Sequence, residues 1–148
     1  MRRLFLLTIL SCSLAGLKAQ DAQKQATVSE SEKGVASYYH DKFIGRKTAN
    51  GEVFTNDKFT AASNKLKLGS YVKVTNLSNG EVVYVKINDR MAASNNRLID
   101  LASIAAKRLN FHQKGITKVK VDVVSEEEGR AGILAQRVTD VPARNNEF

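Results

Sequence analysis

Two acidic side chains stand where acid–base chemistry could be staged. Glu52 closes the string Thr48–Ala49–Asn50–Gly51–Glu52, directly after an Asn-Gly turn, and Asp89 lies in Asn88–Asp89–Arg90 at the end of an alternating apolar run. Two carboxylates drawn from separate chain segments are the common equipment for breaking a glycosidic bond, one donating a proton to the leaving oxygen and one charged. An apolar pocket can raise one carboxyl pKa enough for that donation near neutrality. Two more polar strings interrupt the hydrophobic pattern, Thr60–Ala61–Ala62–Ser63 and Arg97–Leu98–Ile99–Asp100–Leu101. Residue types alone leave plainer roles open. Glu52 could be a solvent-facing turn carboxylate, and Asp89 a loop cap or the partner of a surface ion pair with Arg90, whose cation would lower its pKa or orient it. His40 and His112 are isolated and make no metal-ligand spacing, so both are read as structural or exposed, and neither a metal nor a cofactor is expected. The one cysteine, Cys12, excludes an intramolecular disulfide and a cysteine-based zinc site.

The elements that must position these groups are mostly strands. Tyr71–Asn76 alternates, with Val72 and Val74 on one face and Lys73 and Thr75 on the other. Ser78–Asn79–Gly80 is a hairpin turn signal, and residues 81–88 return with Val83, Val85 and Ile87 on one face. Thr117–Val124 alternates the same way, and residues 34–39 begin as a strand. One helix is expected over residues 100–109, with Leu101, Ile104, Ala105 and Leu109 in one stripe, Asp100 as its cap, and Lys107 and Arg108 at its C-terminal end. Short strands and one helix in so short a span predict a small closed barrel, since closure removes exposed edges.

The ends of the chain read differently from its middle. Met1–Arg2–Arg3 is a basic head, residues 4–10 are apolar, small residues follow, and polarity begins abruptly after Ala19. This is the layout of a secretory signal peptide over residues 1–19, with an apolar run far short of the roughly 20 residues a membrane span requires. A competing reading makes Cys12, after Ile9–Leu10–Ser11, a lipidated terminus. Residues 20–33 lack periodicity and are expected to be a flexible linker, and residues 125–148, opening on Ser125–Glu126–Glu127–Glu128–Gly129, a loose polar tail too short for a second binding domain; Ile133, Leu134, Val138 and Val141 are too few for a core, with docking as a short segment the alternative. The 148 residues thus hold one domain, residues 34–124, which carry 15 Lys or Arg against 7 Asp or Glu. A basic exported domain points to an anionic polymer of the envelope, with nucleic acid excluded by the compartment. No transmembrane segment is expected, and the chain is read as a monomer.

The order and spacing of several short motifs carry a specific resemblance. Gly34–Val35–Ala36–Ser37–Tyr38–Tyr39, Phe43–Ile44–Gly45–Arg46–Lys47 running into the Thr48–Glu52 string, Thr60–Ala61–Ala62, Val74–Thr75–Asn76–Leu77–Ser78–Asn79–Gly80, Ile87–Asn88–Asp89–Arg90 and Arg97–Leu98–Ile99–Asp100–Leu101, then Ala105–Ala106, together resemble the rare lipoprotein A (RlpA) family. The resemblance covers nearly all of residues 34–124. It implies a mainly β fold, a six-stranded double-psi β-barrel with one or two short helices. It implies lytic transglycosylation of peptidoglycan glycan strands stripped of stem peptides, in the periplasm or cell envelope, giving 1,6-anhydro ends without consuming water. Asp89 would be the principal acid/base, with Glu52 stabilising charge on the sugar or assisting proton transfer. Tyr38, Tyr39, Asn50, Ser63, Asn88 and Arg90, from the same motifs, would bind substrate.

This chain departs from the family pattern in places. Ser63 stands where the family usually has His after Thr-Ala-Ala, and a serine carries no proton near neutrality as imidazole does. Met91–Ala92 replace the usual Gly-Pro, and Tyr38 stands where Trp is common but keeps an aromatic face for sugar stacking. No C-terminal peptidoglycan-binding repeat, such as some members carry, is read in the tail. These departures keep open a non-catalytic, expansin-like glycan-binding barrel, and more remotely a protein-binding or inhibitor module.

Overall fold

The strongest alternation in the sequence becomes the spine of the fold. In the computed structural model, which describes residues 30–140, β3 (Tyr71–Asn76) and β4 (Val82–Asp89) pair antiparallel across the Asn79–Gly80 turn, and β6 (Thr117–Val124) pairs with the free side of β3. Val72, Val74, Val83, Val85, Ile87, Val119 and Val121 are all fully buried, so one face of this sheet is the core, as the period of two requires. Burying each such side chain contributes roughly 1.5–3 kcal/mol.

Closure comes from three more strands. β1 (Ser31–Tyr38) runs antiparallel to β6 and parallel to β5 (Ile99–Leu101), and β2 (Thr60–Ala62) bridges β5 and β4, giving the closed order β1-β5-β2-β4-β3-β6. Six strands of mixed direction with no edge left free agree with the expected double-psi barrel. β2 and β5 have three residues each. Their strand character comes from neighbours on both sides, not from a run of their own.

The expected helix begins later than its stripe suggested. Residues 99–101 are spent in β5, and α1 spans Ser103–Arg108, with Ala102 at its N-cap and no side-chain cap of its own. Asp100 does not cap it. That carboxylate takes a bidentate pair from Arg97 at 2.7 and 2.9 Å and a hydrogen bond from Ser37 at 2.8 Å, tying β5 to β1. The first turn of α1 is satisfied from afar instead: Asn56 Oδ1 accepts from Ser103 N at 3.0 Å. Ala105, Ala106 and Leu109 are fully buried against the barrel.

The two flanks also differ from expectation. The first strand starts at Ser31, so residues 31–33 belong to the barrel and not to a linker. The loose polar tail is corrected over most of its length: Glu126–Asp140 is a 15-residue helix, α2, lying on β3 and β4. Its start is capped by Ser125, whose Oγ accepts from Glu128 N at 3.1 Å, with three glutamates in the first turn to meet the helix dipole. Its apolar contact is small, with Ile133 packed against the core. Gly129 lets the helix backbone sit on Tyr71, Gly132 does the same on Tyr84, and Gln136 is 4% exposed. The Gln136 amide spans the β4 backbone, accepting from Tyr84 N at 2.6 Å and donating to Tyr84 O at 3.0 Å. The expected signal segment with Cys12, residues 20–29 of the linker, and residues 141–148 lie outside the described residues. Among the described residues, no helix is long and apolar enough to cross a membrane.

Candidate active site

The loop carrying Glu52 is built as a small, closed lasso. Lys47 and Val53 form an isolated antiparallel bridge, Thr48 N donates to Glu52 O at 2.8 Å, and Gly51 N donates to Thr48 O at 2.9 Å. Gly51 sits at φ +89°, a region glycine alone enters without strain, which is why Asn50–Gly51 can turn so tightly. Asn50 Oδ1 accepts from Thr48 Oγ1 at 2.7 Å and from Glu52 N at 3.1 Å, holding the loop from inside.

This lasso is fastened to the end of β4. Asn50 N donates to Asn88 O at 3.2 Å, and Ala49 N donates to Asp89 Oδ1 at 2.9 Å. Asn88 Nδ2 in turn donates to Glu52 Oε2 at 3.1 Å. By strict alternation, Asn88 and Asp89 would point to opposite faces and could not both serve one loop. The pairing of β2 with β4 resolves this: Ala61 faces Ile87 but Ala62 faces Asp89, a register shift of the bulge kind that re-aims side chains. The two carboxylates therefore belong to one hydrogen-bonded cluster.

Each carboxylate has a distinct environment. Glu52 accepts from Asn88, from Asn50 Nδ2 at 2.8 Å and from Lys86 Nζ at 3.2 Å. The Asn88 hydrogen bond, supported by Asn50 and Lys86, holds its carboxyl below the ordinary glutamate value, against a smaller opposing effect of burial. Glu52 is thus a fixed anion on a partly exposed surface. Asp89 accepts three hydrogen bonds, from Ala49 N, from Arg90 N at 2.8 Å and from the Tyr39 hydroxyl at 2.7 Å on Oδ2. Burial, and then the bond to Asp89, push the Tyr39 phenol well above its usual range, so Tyr39 stays a proton-bearing donor. Its ring lies on Phe54 with centroids 4.4 Å apart and edge-on to Phe43 at 5.7 Å, which fixes where the hydroxyl points.

The anion at Glu52 carries a direct test. Replacing Asn88 with Ala removes the hydrogen bond that does most to hold the charged form, so the Glu52 carboxyl titration followed by carbon NMR should move up toward the ordinary glutamate value. An unchanged midpoint in Asn88→Ala would show that this contact does not set the charge.

Not every expected substrate-binding residue joins the cluster. Tyr39, Asn50 and Asn88 do. Tyr38, the last residue of β1, faces away from Tyr39, stacked on His112 at 4.3 Å and edge-on to Phe111 at 6.2 Å. Arg90 contributes its backbone N–H to Asp89, but its guanidinium turns away and donates to the carbonyls of Ser63 and of Leu66, the latter at 2.7 Å. Ser63 touches Asp89 only through its backbone, N to O at 3.2 Å. Its side chain is fully buried: Oγ donates to Leu98 O at 2.8 Å and accepts from Leu66 N at 3.2 Å. Position 63 therefore pins a loop in this chain and presents no polar group to the cluster. Lys86 is the member sequence reasoning missed. Its signal was available, since it sits two residues before Asn88 on the outward side of a strand whose Val85 and Ile87 face in.

Against this geometry the comparisons are specific. Residues 31–121 match the family described as lytic transglycolase. The endolytic peptidoglycan transglycosylase RlpA of Haemophilus influenzae is 48% identical over 93 residues, 63% of this chain and 32% of that protein. The protein of the same name from Pasteurella multocida is 41% identical over 115 residues, 77% of this chain and 39% of its own. A probable one from Synechocystis is 46% identical over 99 residues, 67% and 31% of the two chains. The chain thus spans about a third of the length of these relatives. Among solved structures, a Streptomyces papain inhibitor (TM-score 0.51, 23% identity, 65% of this chain and 96% of that one) shares the fold. So does an expansin of Clavibacter michiganensis (TM-score 0.51, 20% identity, 66% and 52%). With six strands closing the barrel as expected and the matched span covering all of them but the last residues of β6, the chain belongs to the RlpA family of double-psi β-barrel lytic transglycosylases.

Proposed function

We propose that this chain cleaves peptidoglycan glycan strands lacking stem peptides, as a lytic transglycosylase acting between N-acetylmuramic acid and N-acetylglucosamine. The observation that carries the reading is the junction of the Glu52 lasso with the end of β4, where Ala49 N–H meets Asp89 and Asn88 meets Glu52, in a chain of this family. Asp89 gives its proton to the glycosidic oxygen as the C1–O bond breaks. The muramic C6 hydroxyl then closes on C1, and the same carboxylate accepts the hydroxyl proton. The proton count balances, and no water enters. Glu52, held as an anion in the same hydrogen-bonded cluster, would oppose the positive charge that develops at C1. Tyr39 orients Asp89 through the bond to Oδ2.

The compartment follows from the substrate, which lies outside the cytoplasmic membrane, and the basic head and apolar run of residues 1–19 support export. Purified stem-free strands incubated with the protein and read by mass spectrometry should yield fragments ending in 1,6-anhydro-muramic acid. Retention of strands without any anhydro-ended product, under conditions where a His-containing relative releases it, would place the chain with the glycan-binding barrels.

A further inference from the structure

The helix α2 does more than cover β3 and β4. It forms one wall of a cleft of about 270 Å³ whose other wall is the barrel and whose lining includes Glu52. Arg130, Ile133, Leu134 and Arg137, spaced so that they share one helix face, line it from α2, while Lys58 and Lys86 line it from the barrel. Four cations thus surround a space that opens beside the acidic cluster. Two of them already have partners, Lys86 with Glu52 at 3.2 Å and Arg130 with Glu126 at 2.7 Å. Lys58 and Arg137 make no ion pair among the described residues, although Asp57 lies within range of both charges, Lys58 acting on it before Arg137. The wall that carries them is held in place by the Gln136 clamp on Tyr84. It lies beyond residue 121, where the family match ends.

We propose that this cleft is a subsite for a carboxylate-bearing sugar, in which Lys58 and Arg137 take the free lactyl carboxylate of a peptide-free muramic residue neighbouring the bond cleaved. The inference rests on the transglycosylase reading for the identity of its ligand. Its volume is of the order of one sugar ring and below the range typical of larger ligands. Ile133 and Leu134 offer the apolar surface that a ring face and a lactyl methyl require. An attached stem peptide converts that carboxylate to an amide and removes the charge that the two cations would meet. The cleft so supplies a chemical reason for a preference between stripped and substituted strands. Carboxylates within a stem peptide are the other source of the same chemistry, and the test separates them.

Soluble stem-free oligosaccharides are titrated calorimetrically into protein carrying Asp89→Asn, which holds them uncut. Three ligands are used: the free acid, the same oligosaccharide with its lactyl carboxylate converted to the methylamide, and a stem-bearing strand. Lys58→Gln with Arg137→Gln should weaken binding of the free acid about tenfold, the size of one lost charge-assisted contact, and flatten its salt dependence. The methylamide should bind about tenfold more weakly than the free acid to the unmodified cleft, and equally to the doubly substituted one. Equal binding of free acid and methylamide to the unmodified cleft, or tightest binding of the stem-bearing strand, would overturn the subsite. Single substitutions with unchanged melting temperatures guard against a folding defect. Anhydro-ended product from the parent is scored separately, so that failure of the reaction and failure of the subsite are told apart.

Discussion

Asp89→Asn should leave stem-free glycan uncut while the barrel melts close to where the parent does. The substitution keeps the shape of the side chain. Its carbonyl oxygen can still accept from Ala49 N and Arg90 N, and its amide can donate to the Tyr39 oxygen, reversing the bond that Tyr39 now donates. The lasso around Glu52 therefore remains fastened to β4. The transferable proton is what disappears, and a general acid typically contributes about 10²–10⁴-fold in rate. A loss of that size in release of anhydro ends, at a melting temperature within a few degrees of the parent, is the expected result. A variant that still cuts within tenfold of the parent would assign the proton transfers to another group. If Glu52 is the charge stabiliser described above, Glu52→Gln should lower the rate and remove the fall in activity that protonation of Glu52 causes in the parent on the acid side.

Gly129→Ala should release α2 from the barrel. On propensity alone the change would favour the helix, since alanine is better than glycine in a helix interior by about 0.5–1 kcal/mol. Packing reverses the sign. A methyl group at position 129 would fall on Tyr71 Cβ and Cγ, well inside contact distance, and Tyr71 Cβ is attached to the backbone of β3 and cannot swing aside. Overpacking of this kind costs about 1–3 kcal/mol, and lifting the helix also breaks the Gln136 clamp. Hydrogen exchange should therefore quicken over residues 126–140, by about ten- to a hundredfold, with β3, β4 and β6 little changed. Unaltered protection in α2 would show that the helix is held by something other than its glycine contacts. Because Arg130 and Arg137 travel with the helix, the same variant should lose the discrimination between free acid and methylamide.

What the chain declares locally, it declares well. The alternation in Tyr71–Asn76, residues 81–88 and Thr117–Val124 is a covalent property of each segment, and a half-buried strand is the one structure that satisfies it. The hairpin, β6 and the position of Asp89 at a strand end were therefore legible, and the string of short motifs made the barrel and the Glu52 and Asp89 pair legible as well. Where neighbours decide, the sequence was silent or misleading. Three residues cannot show a period, so β2 and β5 are strands only because β4 and β1 flank them, and β5 took Asp100 from the helix that seemed to begin with it. The register shift opposite Ala61 and Ala62 turns Asn88 and Asp89 to the same loop, and no single strand carries that information. Tyr38 and Tyr39 are equivalent as residue types and opposite in position, because Tyr38 ends β1 and stacks on His112 while Tyr39, just past the strand, turns to Asp89. Ser63 faced inward to bind Leu98 O once β5 lay beside it. The tail has too few apolar residues to declare a docked helix, whereas α2 is held by Ile133 on the core, by close approach at Gly129 and Gly132, by the Gln136 amide and by Arg108 pairing with Asp140 at 3.1 Å. Such an interface has complementarity as its basis, a property of two surfaces together that neither segment holds alone.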